Sequence, residues 1–279
     1  MSETSAFRGR LHHLDISSPD PKRLADWYKA AMDMEVEADG TSFICRGPER
    51  VLIISEGPAK TLRAAGYALQ SKAALDGLRA RLKAAGIQEV PLATSQFKDG
   101  VAFRDPNNNW IEMGLAEPTT LKSDAKRLPG RIQHLVVASR NAEAFVEFYT
   151  SIIGLRQSDR VLDDTGALKT CFMRTDDEHH SLAVFQAGED RLDHHCYEAI
   201  EWNAIRDWGD HFASLHEPVK WGPGRHGPGN NLFVFVHDID GNWVEVSAEL
   251  EIVPADKPVG EWPHAERTLN TWGQAFLRS

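Results

Sequence analysis

Cysteine is scarce in this chain: its 279 residues include three, Cys45, Cys171 and Cys196, with no CxxC pair. An odd and sparse count excludes a disulfide framework. Long hydrophobic runs are also missing, since stretches such as 51–54 and 232–236 are far shorter than the ~20 residues that span a bilayer. The opening residues, MSETSAFRGR, lack the apolar core of a signal peptide. The sequence therefore predicts a cytoplasmic protein without a membrane span.

Positive charge is in deficit as well. Lys and Arg number 31 against 41 Asp and Glu, which gives a net charge of −10. Without a basic stripe, neither a nucleic acid nor an anionic membrane is an expected partner. The remaining composition, 42% hydrophobic and 26% charged, is that of an ordinary globular protein. The length fits one large domain or two of ~100–150 residues.

What the chain does contain is a repeat. Residues 10–14 (RLHHL) resemble residues 131–135 (RIQHL), and the same offset of 121 residues brings Trp27-Tyr28 onto Phe148-Tyr149. Late in each half, DPNNNWIEM (105–113) matches DIDGNWVEV (238–246) at a larger offset of 133. Two matches at one offset and a third at a slightly larger one indicate a duplication.

Each copy shows the same order of elements. A short alternating strand (11–17; 132–139) precedes an amphipathic helix (21–32; 142–153), and apolar strands follow (42–54; 168–186). Another strand and a second helix (73–85; 202–215) lead to a strand pair that closes around an Asn-, Asp- and Gly-rich turn. The predicted final pairs are 101–103 with 110–113, and 232–237 with 243–247.

This order predicts an α+β protein of two tandem modules, each a paired βαβββ repeat. The predicted domains are 8–117, 131–250, and a C-terminal arm at 251–279, with residues 116–130 as the linker. The arm carries three prolines and two tryptophans, Trp262 and Trp272. Two readings of it stay open: an extended arm packed over the second module, or a wall of an active-site mouth.

The second copy carries a set of residues suited to a divalent metal: His134, the His194-His195 pair, and Glu245. Two imidazoles and one carboxylate on one face leave the other face open, the arrangement of non-haem Fe(II) oxygenases. The first copy keeps His13 and Glu112, but alignment of Tyr67 with Tyr197 puts Ala64 opposite His194. We therefore expect no metal site in the first module. Taken singly, each of these residues is more commonly a core or solvated side chain.

Both halves resemble modules of the vicinal oxygen chelate superfamily, and the whole resembles a two-module type I extradiol dioxygenase similar to catechol 2,3-dioxygenases. The resemblance covers residues ~8–250 and implies a glyoxalase/dihydroxybiphenyl dioxygenase-like fold. Its motifs are RIQHLVV (131–137), HHSLAVF (179–185), RLDHHCYE (191–198), GRHGPGNN (224–231) and DIDGNWVEV (238–246).

The resemblance implies metal ligands at His134, His194 and Glu245. His194 is preferred to His195, whose side chain should point to the opposite face of its strand. The family's acid–base histidines map to His180 and His226. His179 is the weaker alternative to His180, and as a non-functional residue it is expected to be an exposed loop histidine.

One residue departs from the family pattern. Phe235 stands ten residues before the glutamate, where members usually have a tyrosine. The hydroxyl expected to contact a bound catecholate is therefore missing. Trp202, Trp208, Trp221 and Phe233 are possible stacking residues or core residues, and Cys196, two residues past His194, is expected to share its face of the strand.

The implied function is Fe(II)-dependent extradiol cleavage of a catechol-type vicinal diol with O₂, in aromatic catabolism. Mn(II) is an alternative metal, and Zn(II) is possible on ligand type alone. The family also suggests a homo-oligomer. Two rival functions stay open: a metal-dependent glyoxalase-type isomerase or lyase, and a non-catalytic small-molecule-binding protein.

Overall fold

The structure, a computed structural model, describes residues 8–117 and 127–275. These residues form two β-sheets, of seven and nine strands, with short helices packed against them. Within the described ranges, none of the helices combines the length and apolar character needed to cross a bilayer.

The first module holds the seven-stranded sheet, ordered β2-β3-β4-β1-β5-β7-β6. Asp20 caps the first helix by accepting a hydrogen bond from the Arg23 N–H (3.1 Å), and Ser71 caps the second. The elements are β1 (Gly9–Ser18), α1 (Pro21–Ala31), β2 (Glu35–Asp39), β3 (Ser42–Gly47), β4 (Arg50–Glu56), β5 (Thr61–Leu69), α2 (Lys72–Ala84), β6 (Phe97–Arg104) and β7 (Trp110–Ala116).

The second module continues the same series of elements. Asn141 caps its first helix in the position that Asp20 occupies in the first module. The elements are β8 (Arg131–Ser139), α3 (Ala142–Glu147), continued by a π-helical turn (Phe148–Ile153), β9 (Arg156–Leu162), β10 (Leu168–Arg174), β11 (Leu182–Gln186), β12 (Arg191–Glu198), α4 (Trp202–Ser214), β13 (Trp221–Arg225), β14 (Leu232–His237) and β15 (Trp243–Ala248).

Strand order confirms the duplication. Seven strands of the second sheet, β9-β10-β11-β8-β12-β15-β14, repeat the order of the first sheet, and one additional strand lies at each edge. One of these, β13, corresponds in the first module to a single bridge between Val90 and Ala102. The other comes from the C-terminal arm. The predicted paired-repeat α+β fold is therefore confirmed.

The arm contributes β16 (Gly260–Pro263) and a short helix, α5 (Glu266–Leu269). Strand β16 pairs in parallel with β9, so the arm packs on the second module. It also supplies Thr268 and Leu269 to a cavity of that module. One part of the arm therefore packs over the second module, and another part lines this cavity.

A single hydrophobic cluster extends through both modules. Most of the predicted linker, residues 118–126, lies outside the described residues. Its last residues return to the core, where the buried Arg50 donates hydrogen bonds to the carbonyls of Leu128 (3.3 Å) and Gly130 (2.9 Å). The same guanidinium donates to the carbonyls of Met32 and Asp33, which fixes the chain at the junction.

Candidate metal centre

The second module encloses a cavity with five polar side chains at its inner end. These are four histidines and one glutamate: His134, His180, His194, His226 and Glu245. The other lining residues are mainly apolar: Val136, Phe172, Phe185, Trp221, Pro228, Phe235, Thr268 and Leu269. The histidines and glutamate predicted as site residues therefore share one cavity.

Three adjacent strands present the inner residues. Cys196 on β12 lies in register with His134 on β8 and with Glu245 on β15. His194 is two residues earlier on β12, and since side chains two apart share a face, it projects into the same cavity. His195 points the other way, and its Nε2 lies 3.2 Å from the Tyr28 hydroxyl.

Two imidazoles converge on one carboxylate oxygen. The Nε2 atoms of His134 and His194 lie 3.1 Å and 3.2 Å from Oε2 of Glu245. All three side chains are buried. The other carboxylate oxygen, Oε1, accepts a hydrogen bond from the Asn231 side-chain amide at 3.3 Å.

The outer nitrogens of both imidazoles face groups that only accept hydrogen bonds. Nδ1 of His194 lies 2.6 Å from Oδ1 of Asp193, and Nδ1 of His134 contacts Oε1 of Gln133. Gln133 is held in that orientation because its amide nitrogen donates to the His180 carbonyl (2.6 Å) and to Glu178 (3.2 Å). Each Nδ1 must therefore carry a proton, which leaves a lone pair on each Nε2 of a neutral ring.

Three lone-pair-bearing atoms thus approach one another in a buried space. Such an arrangement is repulsive unless a proton or a metal cation lies between the atoms, and imidazoles whose other nitrogen donates to a carboxylate or an amide oxygen are typical metal ligands. The donor set fits a borderline divalent ion such as Fe(II), Mn(II) or Zn(II).

The pKa values of Glu245, His194 and His134 are shifted by burial and by their contacts with one another. Burial alone would raise the pKa of Glu245, but His134, His194 and His226 bring it well below its usual value. For His194, burial is outweighed by the hydrogen bonds with Asp193 and Glu245, so its pKa is raised. Burial lowers the pKa of His134. The site therefore strongly favours a negative carboxylate and attracts positive charge.

Cys196 is an alternative donor. Its Sγ, one imidazole nitrogen of His134 and a Glu245 oxygen lie within 4.8 Å of one another. However, the thiol donates to the Ser247 hydroxyl at 3.2 Å, and burial raises its pKa well above the usual value. His194, whose Nε2 already faces Glu245, matches a metal ligand better than this protonated thiol.

The two predicted acid–base histidines flank the inner end of the cavity. The ring of His180 lies 4.3 Å from that of His134, centroid to centroid. His226 stacks on Phe233 at 4.0 Å, and its Nε2 is 3.6 Å from Oε1 of Glu245. Its Nδ1 donates to the carbonyl of Leu269 in the arm. Both side chains are therefore near the candidate metal position.

The expectation that His179 is an exposed loop residue is wrong. His179 is fully buried, and its Nε2 lies 2.9 Å from Oδ2 of Asp159. The sequence around it is polar, but the C-terminal arm reaches this position: the His179 N–H donates to the Glu251 carbonyl, and Trp262 donates to the same Asp159 oxygen.

Sequence reasoning missed the residues that orient the site, namely Gln133, Asp193, Asn231 and Asp159. The first two directly precede His134 and His194, and that adjacency was a usable signal. Of the proposed stacking residues, Trp221 lines the cavity and Phe233 packs against His226, whereas Trp208 belongs to the core. Trp202 is 44% exposed and contacts Trp272 of the arm.

The equivalent position in the first module is closed. His13 Nε2 lies 3.3 Å from Glu112, but the Thr94 hydroxyl and the backbone N–H groups of Ala93 and Thr94 already donate to that carboxylate. In the strand register, Ala64 pairs with Trp110 and His194 pairs with Trp243. Because these two tryptophans are equivalent in the repeat, Ala64 occupies the position of His194. Donors of the loop thus satisfy Glu112, whereas Glu245 of the second module faces imidazole nitrogens.

The class is therefore that of α+β proteins built from duplicated modules, here with a cavity in the second module that is lined by histidines and a glutamate. The sequence model of the Glyoxalase/Bleomycin resistance protein/Dioxygenase superfamily matches residues 10–113 and 131–246. The chain belongs to this superfamily.

Relatives within the superfamily include ring-cleavage dioxygenases. The chain is 28% identical to Metapyrocatechase 2 of Cupriavidus necator over 220 residues, covering 71% of this chain and 68% of that protein. It is 26% identical to Biphenyl-2,3-diol 1,2-dioxygenase 3 of Rhodococcus globerulus over 158 residues, covering 52% of this chain and 77% of that protein.

Solved structures share the fold. The Mn(II)-bound glyoxalase from Novosphingobium aromaticivorans superposes with a TM-score of 0.84 at 24% identity, covering 96% of this chain and 91% of that one. The homoprotocatechuate 2,3-dioxygenase from Arthrobacter globiformis gives 0.84 at 22% identity, covering 99% and 91%. Neither likeness distinguishes a dioxygenase from a glyoxalase, because both concern the fold.

Proposed function

We propose that this protein is an Fe(II)-dependent extradiol dioxygenase that opens the ring of a catechol-type vicinal diol with O₂. His134, His194 and Glu245 would hold the metal. The observation that carries the proposal is the convergence of two imidazole Nε2 atoms on one buried carboxylate oxygen, at 3.1 Å and 3.2 Å. The names of the relatives support a dioxygenase.

The ligand set favours a metal that keeps several open positions. Two neutral imidazoles and one carboxylate on a face leave the opposite side free for a diol and O₂. A ferrous ion held there would supply a Lewis acid for the two diol oxygens and a redox centre for their reaction with O₂. Mn(II) prefers similar ligands, and a manganese-bound structure of the same fold exists.

His180 is the residue proposed to accept the proton of a diol hydroxyl. It lies against His134, so a diol bound at the open side would have its hydroxyl near this ring. Burial, first, and the neighbouring histidines hold the pKa of His180 well below its usual value. The ring is therefore neutral, so one of its nitrogens carries a lone pair.

His226 has a role that depends on its protonation. Because the Leu269 carbonyl takes the Nδ1 proton, Nε2 can donate a hydrogen bond only from the doubly protonated ring. In that form His226 would stabilise negative charge that develops on oxygen beside the metal. In the neutral form it would accept a hydroxyl proton instead.

The cavity wall defines the class of diol. Among the lining residues that the structure describes, there is no lysine or arginine, and the wall beyond the histidines and Glu245 is aromatic or aliphatic except for Thr268. Phe235 adds a ring without a hydroxyl, 5.3 Å from His194. An uncharged catechol, bare or with an apolar substituent, therefore fits better than one with a carboxylate.

The test starts with anaerobically purified protein and metal analysis, followed by O₂ uptake with a panel of diols. We expect close to one iron per chain, and O₂ consumption with catechol and methylcatechols. A carboxylate-bearing catechol of similar size is the matched control, and its kcat/KM should be at least about tenfold lower.

Three results would contradict the proposal. Bound iron with no O₂ uptake for any vicinal diol would remove the dioxygenase function, and turnover that continues without O₂ would indicate a glyoxalase-type isomerase or lyase. Diol binding by a protein without stoichiometric metal would indicate a non-catalytic binding protein.

A further inference from the structure

A row of hydrogen-bonded side chains leads away from the cavity behind His180. Nδ1 of His180 lies 3.0 Å from Nδ1 of His179, and Nε2 of His179 lies 2.9 Å from Oδ2 of Asp159. The indole N–H of Trp262 donates to the same Asp159 oxygen at 2.9 Å. Asp159, His179 and His180 are all buried. The row connects the C-terminal arm to the cavity.

The carboxylate sets the direction of these hydrogen bonds. Ionised Asp159 only accepts, so Nε2 of His179 must donate to it. A neutral His179 then has its lone pair on Nδ1, which must accept from His180. Nδ1 of His180 therefore carries its proton, and the lone pair of that ring is on Nε2. Since His180 lines the cavity, this nitrogen is available to a bound molecule.

We propose that Asp159 and His179 are positioning residues that make Nε2 of His180 a proton acceptor and take over the proton it receives. This inference rests on the proposed dioxygenase function for its substrate, a vicinal diol. It goes beyond that function because it assigns a role to two residues outside the metal ligands and the cavity wall.

The proton movement is balanced without any other reactant. A diol O–H bond breaks as His180 Nε2–H forms, then His180 Nδ1–H breaks as His179 Nδ1–H forms. His180 ends neutral, and the positive charge rests on His179 beside the Asp159 carboxylate. Moving the charge one ring outward matters because His180 packs against His134, which faces the metal position. The reverse path returns the proton to the product.

The surroundings of Asp159 keep its carboxylate ionised and hold it in place. Burial would raise its pKa, but the hydrogen bonds from His179 and Trp262 lower it below the usual value. The residue paired with it on β16 is Gly260, where an added Cβ would lie 2.3 Å from Oδ1 of Asp159. Trp262 also packs on the cluster that includes Val136 and Phe172 of the cavity wall. The arm therefore holds the carboxylate and the wall together.

The experiment compares Asp159→Asn and His179→Ala with the parent in the full-length, iron-loaded protein. We expect iron content and KM for catechol within about twofold of the parent, with kcat lower by about 10- to 100-fold. Because both residues act through His180, the double variant should be no slower than the slower single variant. Asp164→Asn, which removes an exposed carboxylate in the turn after β9, is the matched control and should keep the parent kcat.

A second readout does not depend on turnover. In metal-free, full-length protein labelled with ¹⁵N-histidine, we expect the parent His180 to carry its proton on Nδ1 and not on Nε2. Asp159→Asn should give a mixture of both tautomers, since an amide can donate as well as accept. If Asp159→Asn does not fold, Trp262→Phe removes only one hydrogen bond to the carboxylate and should lower kcat by about two- to fivefold.

Parent-like kcat in both Asp159→Asn and His179→Ala would overturn the proposal, as would a proton on Nε2 of His180 in the parent. Loss of iron together with activity would also overturn it, because the residues would then act on the metal site. If the parent binds iron but cleaves no diol, the proposed function fails, while the tautomer measurement still decides the hydrogen-bond direction.

Discussion

The hydroxyl of Tyr28, on α1 of the first module, donates a hydrogen bond to Asp238 in the last turn of the second module, at 3.0 Å. Tyr149 makes the reciprocal contact with Asp105 of the first module at 3.1 Å. Each aspartate also organises its own turn by accepting two backbone N–H bonds. The duplicated turns thus do more than reverse the chain, because each one anchors a helix of the other module.

This reciprocal contact predicts a specific loss of stability. Tyr28→Phe and Tyr149→Phe should each lower the free energy of unfolding by about 1–2 kcal/mol, because a buried aspartate loses a donor while packing is kept. Urea denaturation measures the effect. Tyr197→Phe is the matched control, since that buried hydroxyl has no hydrogen-bond partner among the described residues. Equal losses in all three variants would contradict this role of the aspartates.

Arg50 gives a second stability prediction. Its guanidinium donates to four backbone carbonyls at the junction of the modules. Arg50→Lys should lower the free energy of unfolding by about 2–4 kcal/mol, because one ammonium cannot reach all four carbonyls. Arg63→Lys, at a half-exposed ion pair with Asp15, should cost less than about 1 kcal/mol. A similar cost for both in thermal unfolding would contradict the junction role.

His12 predicts a dependence of stability on pH. Burial, first, and the neighbouring His13 lower its pKa to about 4, from an unfolded value near 6.5. Below pH 6.5 the unfolded chain binds this proton more readily, so the parent loses stability as pH falls from 6.5 to 4. His12→Gln, which copies Gln133 of the second module, removes this loss.

The free energy of unfolding of His12→Gln minus that of the parent should be about 2–3 kcal/mol more favourable to the variant at pH 4 than at pH 7.5. Denaturant titrations at the two pH values provide the measurement. A difference between variant and parent that is the same at both values would show that His12 is not held neutral.

The groups behind the metal position give a fourth prediction. Asp193 orients His194 through a 2.6 Å hydrogen bond, so Asp193→Ala should weaken metal binding by about 10- to 100-fold. Competition with a chelator measures the affinity. Glu189→Ala, at an exposed ion pair near the start of the same strand, is the control and should bind metal like the parent. Unchanged affinity in Asp193→Ala would mean that His194 is not oriented by this carboxylate.

Much of the fold could be predicted because the chain repeats. The match of DPNNNWIEM to DIDGNWVEV aligned the modules, and the observed register puts Ala64 in the position of His194 as expected. Alternation along β12 separated His194 from His195. These properties follow from local spacing, which the sequence contains directly.

Other features depend on contacts between distant parts of the chain. The burial of His179 requires Asp159 on β9 and Trp262 on the arm, which are 20 and 83 positions away. The closing of the His13–Glu112 pair requires the loop at Thr94. The reciprocal Tyr–Asp contacts cross between modules. No local pattern indicates which of these segments meet.

The central claim is that His134, His194 and Glu245 hold one divalent metal ion. The direct measurement is the metal content of the alanine variants at these three positions, beside His195→Ala and Cys196→Ala, all purified anaerobically. We expect the first three to fall below about a tenth of the parent stoichiometry, with the last two near the parent. Full metal content in any of the first three, or its loss in Cys196→Ala with retention in His194→Ala, would contradict the assignment.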